Sequence, residues 1–413
     1  MELTRTEWTN WFGNQSCRPA EREWPLDATE TQEIIARAAA AKQEVRAVGG
    51  GHSLPAVVPT KGILLDLENV QGRFDVDSGN QLMTLGAGRR LSQIFDPLWD
   101  AGFAMKNMGE LADSTIAGAV STGAHGTGIS LPCTSASVVA AQLVTASGDL
   151  LELSRESTPE LLRAAQVSIG MLGIFTELTL EVVPAYDLVE HSILMSVDEV
   201  LDGWEEILAK HRHWNFYYIA TPAAAAAFAD QLEHLPAGSS DVCYSTLVDA
   251  VAPGQSHPHD GVPHVRRDRM NRILTIEFDP NYREIEYAVP YDIGKETFIA
   301  LREMLRRDHP DYAFPMNVRF VAGDDAYLSA YGGGPRVVFS LSDDPKAPYS
   351  SVLGRAEAFF LERGGRPHWG KEHALTESNA RAVFPDFDRF VEIRRELDPN
   401  GMFLNPHLKT IFA

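Results

Sequence analysis

Two glycine-rich clusters, each carrying one histidine, constrain the fold more than any other feature of the chain. The first, Gly49-Gly50-Gly51-His52-Ser53, follows directly on Val45-Arg46-Ala47-Val48, which reads as a short buried strand. The second runs from Gly118 to Gly128 around His125 and is built mostly of Gly, Ala, Ser and Thr, with Thr115 just ahead of it. Consecutive glycines let backbone N–H groups converge on an anion without interference from Cβ atoms, which suits a pyrophosphate. Taken alone, Gly49 to Gly51 is equally consistent with a tight turn, and Gly118 to Gly128 with a compact surface loop. Together they argue for one extended ligand, and a dinucleotide is long enough to need both. The pattern is not GxGxxG, and no acidic residue stands at the ribose-binding spacing, so a Rossmann site is not expected.

Around these clusters the chain alternates strand and helix, then changes character. A helix is expected over 30–42, capped by Thr29 or Thr31, with strands at 63–67 and 82–85 and a helix at 91–101. Ala146-Ser147-Gly148-Asp149 reads as the turn of a hairpin between 138–145 and 150–153. The glycine-punctuated run Ile169 to Thr176 leads into a strand at 177–183, which Pro184 stops. Beyond it lie expected helices at 197–210, 222–229 and 295–307, and strands at 284–289 and 317–321. The polar stretch 252–269 reads as a loop. Its His257-Pro258-His259 and His264 are interrupted by prolines and show no ligand spacing, so no metal is expected there.

Composition narrows the partners. The 413 residues include 36 Lys+Arg against 57 Asp+Glu, a formal charge of −21, which disfavours nucleic acid and anionic membrane surfaces. Cys17, Cys133 and Cys243 are isolated, and the start of the chain lacks a basic-then-apolar leader. No apolar run approaches the roughly 18 residues of a membrane helix. A cytoplasmic protein, monomeric or a small homo-oligomer, is therefore expected.

Several segments, in order along nearly the whole chain, carry a family resemblance. Trp8-Thr9-Asn10-Trp11-Phe12-Gly13-Asn14 resembles the opening of the FAD-dependent aldonolactone oxidases and alditol oxidases. Val48 to Ser53 resembles their FAD loop, Gly118 to Gly128 their second loop, and Gly170 to Thr176, with Gly173 and Ile174, the segment near the adenine. Pro367-His368-Trp369-Gly370-Lys371 resembles their HWxK motif, and Asp398 to Asn405 their C-terminal signature. The resemblance implies a two-domain α+β fold of the vanillyl-alcohol-oxidase type. Residues 1–184, completed by 371–413, would hold FAD, and 185–370 would form a substrate domain on an antiparallel sheet.

By the same resemblance, His52 carries the flavin covalently through its 8α-methyl group. Val48, Gly49, Gly50, Gly51, Ser53, Gly109, Thr115, Gly118, Thr122, Gly123, His125, Gly173, Ile174 and Lys371 bind the cofactor. Arg319 and Lys371 face flavin and substrate, and two fixed cations suit hydride removal from a C–H bond. Gly109 aligns beside the edge that O2 approaches, which implies an oxidase. Departures bear on the substrate. Asn317 stands where the family usually has Glu, Phe339 and Leu341 align with polar pocket residues of the alditol oxidases, and Glu110 replaces their serine, although acidic residues at this place are not foreign to lactone oxidases. Asn317 can hydrogen-bond a hydroxyl but cannot act as a base or balance Arg319, while Glu110 can act as a base or bind a substrate amine or hydroxyl. Tyr287 is a candidate pocket residue or a core tyrosine.

The expected activity is oxidation of a CH–OH group of a sugar-derived lactone or related alcohol, with O2 reduced to H2O2. The alternative is a tailoring oxidase for a less polar alcohol or amine metabolite. A flavin-binding protein without turnover and an NADPH-dependent reductase are the remaining rivals, disfavoured by Arg319, Lys371 and His52.

Overall fold

The computed structural model describes residues 7–232, 235–277, 281–349 and 351–413. A three-stranded parallel sheet has Ile63–Asp66 at its centre, flanked by Glu21–Glu23 and Val45–Val48. Ile63, Leu64 and Leu65 are wholly buried, as a covered parallel strand requires. The helix Ala28–Ala41 is capped by Asp27, whose side chain accepts from the Glu30 N–H, and not by Thr29 or Thr31. Thr31 instead donates its hydroxyl to the Asp27 carbonyl, because it already lies within the first turn.

A six-stranded antiparallel sheet packs beside it, in the order Leu150–Ser154, Val138–Val144, Ile174–Pro184, Leu82–Gly86 and Phe74–Asp77. Phe103–Met105 pairs with the far end of Ile174–Pro184. The second glycine cluster holds a helix that its small residues concealed, Ile116–Thr122, capped by Thr115 and ended by Gly123 at φ +72°. Its buried face is Ile116, Ala117, Ala119 and Val120.

Trp8–Thr9 with Ser16–Cys17 forms a small antiparallel pair, and the largest sheet has eight strands. Their order is Val265–Arg269, Asp187–Ser196, Val242–Val251, His213–Ile219, Met316–Val321, Arg336–Asp343, Arg283–Pro290 and Arg366–Pro367. The expected loop at 252–269 thus ends in an edge strand, Val265–Arg269, paired to Asp187–Ser196. Four charged residues in succession, Arg266 to Arg269, on a half-exposed edge hid it from hydrophobic patterning. Among the described residues no group of three or more His, Cys, Asp or Glu is arranged to hold a metal.

Helices Val197–Lys210, Gly294–Asp308 and Val352–Leu361 cover one face of this sheet. Their Trp204 and Phe298 pack with strand residues Trp214, Phe216 and Phe320, and the Trp214 and Phe320 rings stack at 4.8 Å. The opposite face meets the glycine clusters. Gly128 donates its N–H to the Phe320 carbonyl at 2.7 Å, and the Thr127 hydroxyl donates to the Trp214 carbonyl at 2.6 Å. The C-terminal helices Phe387–Leu397 and Pro406–Phe412 join the core built by the first 184 residues, through Phe387, Phe390 and Phe412.

Candidate active site

A cavity of about 1300 Å³ lies between the glycine clusters and the eight-stranded sheet. That exceeds the roughly 300–1,000 Å³ of a drug-sized ligand site. One wall is backbone. Val48, Gly49, Gly50, Gly51, His52 and Ser53 line it, with Gly109, Thr115, Gly118, Thr122, His125, Gly173 and Ile174. A Cβ on Gly50 would come within 2.7 Å of the Asp113 carbonyl oxygen and of His52 Nδ1, so no other residue fits. Gly173 sits at φ +153°, a conformation that favours glycine. Gly123 does not line the cavity; its left-handed backbone ends the helix Ile116–Thr122.

The opening segment of the chain straps this loop in place. Trp11 donates its N–H to the Gly51 carbonyl at 2.9 Å, and the Asn10 side-chain amide donates to the Ser53 carbonyl at 2.9 Å. The Trp11 ring lies 5.2 Å from the His52 ring. Arg46, which sequence reasoning passed over, binds the loop to two distant segments. Its guanidinium donates to the carbonyls of Val57 (2.8 Å), Ile169 (2.7 Å) and Phe403 (2.6 Å). Asp398 accepts the backbone N–H groups of Met402 and Phe403, so the C-terminal signature is a turn that supports Arg46.

The other wall is made of side chains from alternate positions of neighbouring strands. Tyr217 opposes Asn317, Asn317 opposes Ser340, and Ser340 opposes Glu286, so the four form one row across four strands. The intervening residues Phe216, Val318, Phe339 and Tyr287 point to the helical layer. Phe339 and Leu341 are therefore wholly buried in that core and form no pocket wall; Ser340 and Ser342 line the cavity in their place. Strand period two makes a one-residue shift of alignment reverse the face. Tyr287 is likewise a core residue, and its hydroxyl donates to Glu357.

Glu284 and Glu286 were missed as site residues for the same reason. Alternation with Ile285 and Tyr287 was the signal that could have found them. Glu286 accepts hydrogen bonds from Arg319 and from the Ser340 hydroxyl at 2.8 Å, and its other oxygen lies 2.7 Å from His125 Nε2. His125 Nδ1 donates to the Gly126 carbonyl at 2.7 Å, so the second glycine cluster is tied to the side-chain wall. Arg319 Nη1 lies 3.5 Å from Glu110 Oε1. Arg319 is thus balanced by Glu286 from two strands away, although position 317 is a neutral amide.

Lys371 reaches the same wall because its segment runs beside Arg283–Pro290. His368 donates its N–H to the Glu286 carbonyl at 3.0 Å, and Glu372 does so to the Glu284 carbonyl at 2.9 Å. Lys371 Nζ then pairs with the Glu284 carboxylate. The Gly370 carbonyl accepts the Leu54 N–H at 2.9 Å, linking this segment to the His52 loop.

Electrostatics follow from burial and pairing. Burial works against the Arg319 charge, but Glu286, Glu110 and Glu284 more than offset it and hold the guanidinium firmly protonated. Lys371 is raised in the same way, with Glu284 overcoming the cost of burial. Burial pushes Glu284 up, although Lys371 pulls it back. Burial opposes ionisation of Glu286 too, but Arg319 and His125 hold it well below the usual carboxylate range. Burial lowers His52 to about 4 and His368 to about 3, so both are neutral near pH 7.

The cavity fits FAD. A bare backbone cradle runs along one wall, and the buried His52 Nδ1 at its end has no protein partner. Comparison with known proteins agrees. Residues 22–154 match the family profile described as FAD binding domain, and residues 246–411 that of D-arabinono-1,4-lactone oxidase. The structure is similar to that of a solvent-stable cholesterol oxidase, with a TM-score of 0.81 over 99% of this chain and 97% of that one. At 16% identity that likeness is one of fold. The class is that of two-domain α+β flavoproteins of the vanillyl-alcohol-oxidase type, with FAD as cofactor.

Relatives over the full length place the chain more narrowly. It is 30% identical to L-gulono-1,4-lactone dehydrogenase of Mycobacterium tuberculosis, covering 98% of this chain and 99% of that protein. It is 28% identical to L-gulonolactone oxidase of Mus musculus and 27% identical to alditol oxidase of a Streptomyces species, each over 98% of both chains. The chain belongs to the aldonolactone oxidase family.

Proposed function

We propose that this protein oxidises a CH–OH group of a sugar-derived lactone or related alcohol, passing the electrons to O2 and releasing H2O2. The observation that carries the reading is the placing of Arg319 and Lys371 across one cavity from the His52 loop. FAD, held along the Val48 to Ser53 and Gly118 to His125 wall, would supply the hydride acceptor and the site at which O2 is reduced. Arg319 and Lys371 bind the substrate oxygen and favour its alkoxide character as the C–H bond weakens. Glu284, lifted by burial and hydrogen-bonded to Lys371, takes the hydroxyl proton. Glu286 and Ser340 fix the guanidinium of Arg319.

The same reading assigns a covalent 8α link to His52, whose neutral imidazole is a competent nucleophile. Gly109, which lines the cavity and at which a Cβ would crowd the His125 carbonyl, is assigned to the approach of O2. Residues 1–184 with 371–413 form the FAD unit and 185–370 the substrate unit. The protein works in the cytoplasm as a monomer or small homo-oligomer; among the described residues no helix is long and apolar enough to cross a membrane. A less polar alcohol or amine is the second reading, favoured by Phe228 and Phe314 in the cavity lining.

The test has two arms. Aldonolactones and polyols are mixed anaerobically with the purified protein, and bleaching of the flavin is followed, then its return on admitting O2 with H2O2 formed. Bleaching by NADPH in place of these substrates would sink the reading. Acid precipitation should retain the yellow colour in the wild-type pellet and release it from His52→Ala.

A further inference from the structure

Three carboxylates meet two cations at the inner end of the cavity, and they are not equally paired. Glu286 is held by Arg319, His125 and Ser340, and Glu284 by Lys371. Among the described residues the Glu110 side chain has one partner, Arg319 Nη1 at 3.5 Å, and that guanidinium is already bound to Glu286. Glu110 is 25% exposed and lines the cavity, so it retains the capacity to take another cation. Beside it, Asn317 Oδ1 and Arg319 Nε have no protein partner, although both side chains are only 7% exposed. Buried polar atoms of this kind are normally satisfied, and both residues line the cavity, so a bound ligand is in reach of them.

Further out, the lining changes from polar to apolar. The Phe228 and Phe314 rings lie 5.9 Å apart, with Leu232 and the exposed Ile276 also lining the cavity. The rim is acidic, formed by Glu277, Asp311, Asp343 and Asp344. Among the described lining residues the lysines and arginines are Arg46, Arg319 and Lys371, all on the inner walls. A cleft rimmed by one sign of charge concentrates ligands of the other sign. A neutral sugar lactone uses neither the apolar belt nor the rim.

We infer, on the basis of the oxidase reading above, that the substrate is an amine-bearing alcohol with an apolar substituent. Its ammonium pairs with Glu110, its CH–OH lies between Arg319 and Lys371, and its apolar group rests on Phe228 and Phe314. The amine is a recognition element and takes no part in the redox step.

Three probes separate these elements: N-benzylglucamine, the neutral 1-O-benzylsorbitol, and glucamine without the benzyl group. Each is titrated anaerobically near pH 7 into the FAD-loaded enzyme, with Kd read from perturbation of the flavin spectrum and turnover from bleaching. N-benzylglucamine is expected to bind about tenfold more tightly than the ether, a ratio worth about 1.4 kcal/mol. The isosteric Glu110→Gln should abolish that ratio, and Phe228→Ala should weaken both benzyl compounds while sparing glucamine. Equal Kd values for amine and ether in the wild type would overturn the inference. So would a Glu110→Gln loss identical for both. If the Kd pattern holds but nothing bleaches, including the aldonolactones, recognition of the amine stands and the oxidase reading fails.

Discussion

The wall formed by Val48 to Ser53 and Gly118 to His125 presents backbone to the cavity, whereas the wall formed by strands His213–Ile219, Met316–Val321, Arg336–Asp343 and Arg283–Pro290 presents ionised side chains. The first is built of two runs of consecutive residues, the His52 loop being strapped by Asn10 and Trp11 of the opening segment. The second is assembled from residues 217, 284, 286, 317, 319, 340 and 371, which meet only through cross-strand register. The difference teaches that holding a cofactor and reacting with a substrate are separable tasks in this molecule. Changes to the backbone wall should alter what flavin is bound and how O2 reaches it. Changes to the side-chain wall should leave the flavin and alter stability, rate and pH dependence.

The largest expected effect is on that second wall. Glu286→Gln strands the Arg319 charge in a buried site and should cost about 3–5 kcal/mol of stability, measured by urea denaturation. Because the Glu286 carboxyl is held well below its ordinary value, its contribution to stability is full above about pH 4.5 and is lost as pH falls through the depressed pKa. The loss in Glu286→Gln should therefore shrink in strong acid. Arg319→Ala should lower the anaerobic rate of flavin reduction about 100- to 1,000-fold, as removal of an oxyanion donor does, with flavin content retained. A variant that instead loses its flavin would break the separation between the walls.

Glu284→Gln sharpens the comparison through pH. A proton acceptor must be ionised, so activity falls as pH drops through its pKa. Burial raises that pKa, placing the acid limb of kcat/KM above the ordinary carboxylate range, and the variant should lack this limb. The smallest effect belongs to the backbone wall. In Gly109→Ala the new Cβ would lie 3.2 Å from the His125 carbonyl oxygen, which should slow reoxidation by O2 and leave flavin reduction by substrate nearly unchanged. Stopped-flow measurement of the two half-reactions checks both parts.

Legibility divides along the same line. The His52 loop, the second glycine cluster and the HWxK segment were readable because their chemistry lies in contiguous residues, and those segments do line the cavity. The helix Ile116–Thr122 was hidden by its own small residues, and the edge strand Val265–Arg269 by its charge. Phe339 and Leu341 were placed on the wrong face because family alignment locates a strand but does not fix its phase to the single residue that decides which side is wet. Of the two readings open for Tyr287 the core one holds, and its neighbour Glu286 faces the cavity, because adjacent residues on a strand point in opposite directions.

By itself, then, the amino-acid sequence determined two glycine clusters suited to an extended dinucleotide, since these depend on residue type and short-range spacing, while the family resemblance implied FAD and the roles expected of Arg319 and Lys371. Tertiary structure alone decided how the charges are balanced. Glu286 and Glu284 come from one strand, Arg319 from another, Glu110 from a loop and Lys371 from the C-terminal return, and Coulombic pairing acts through distances that no linear spacing encodes.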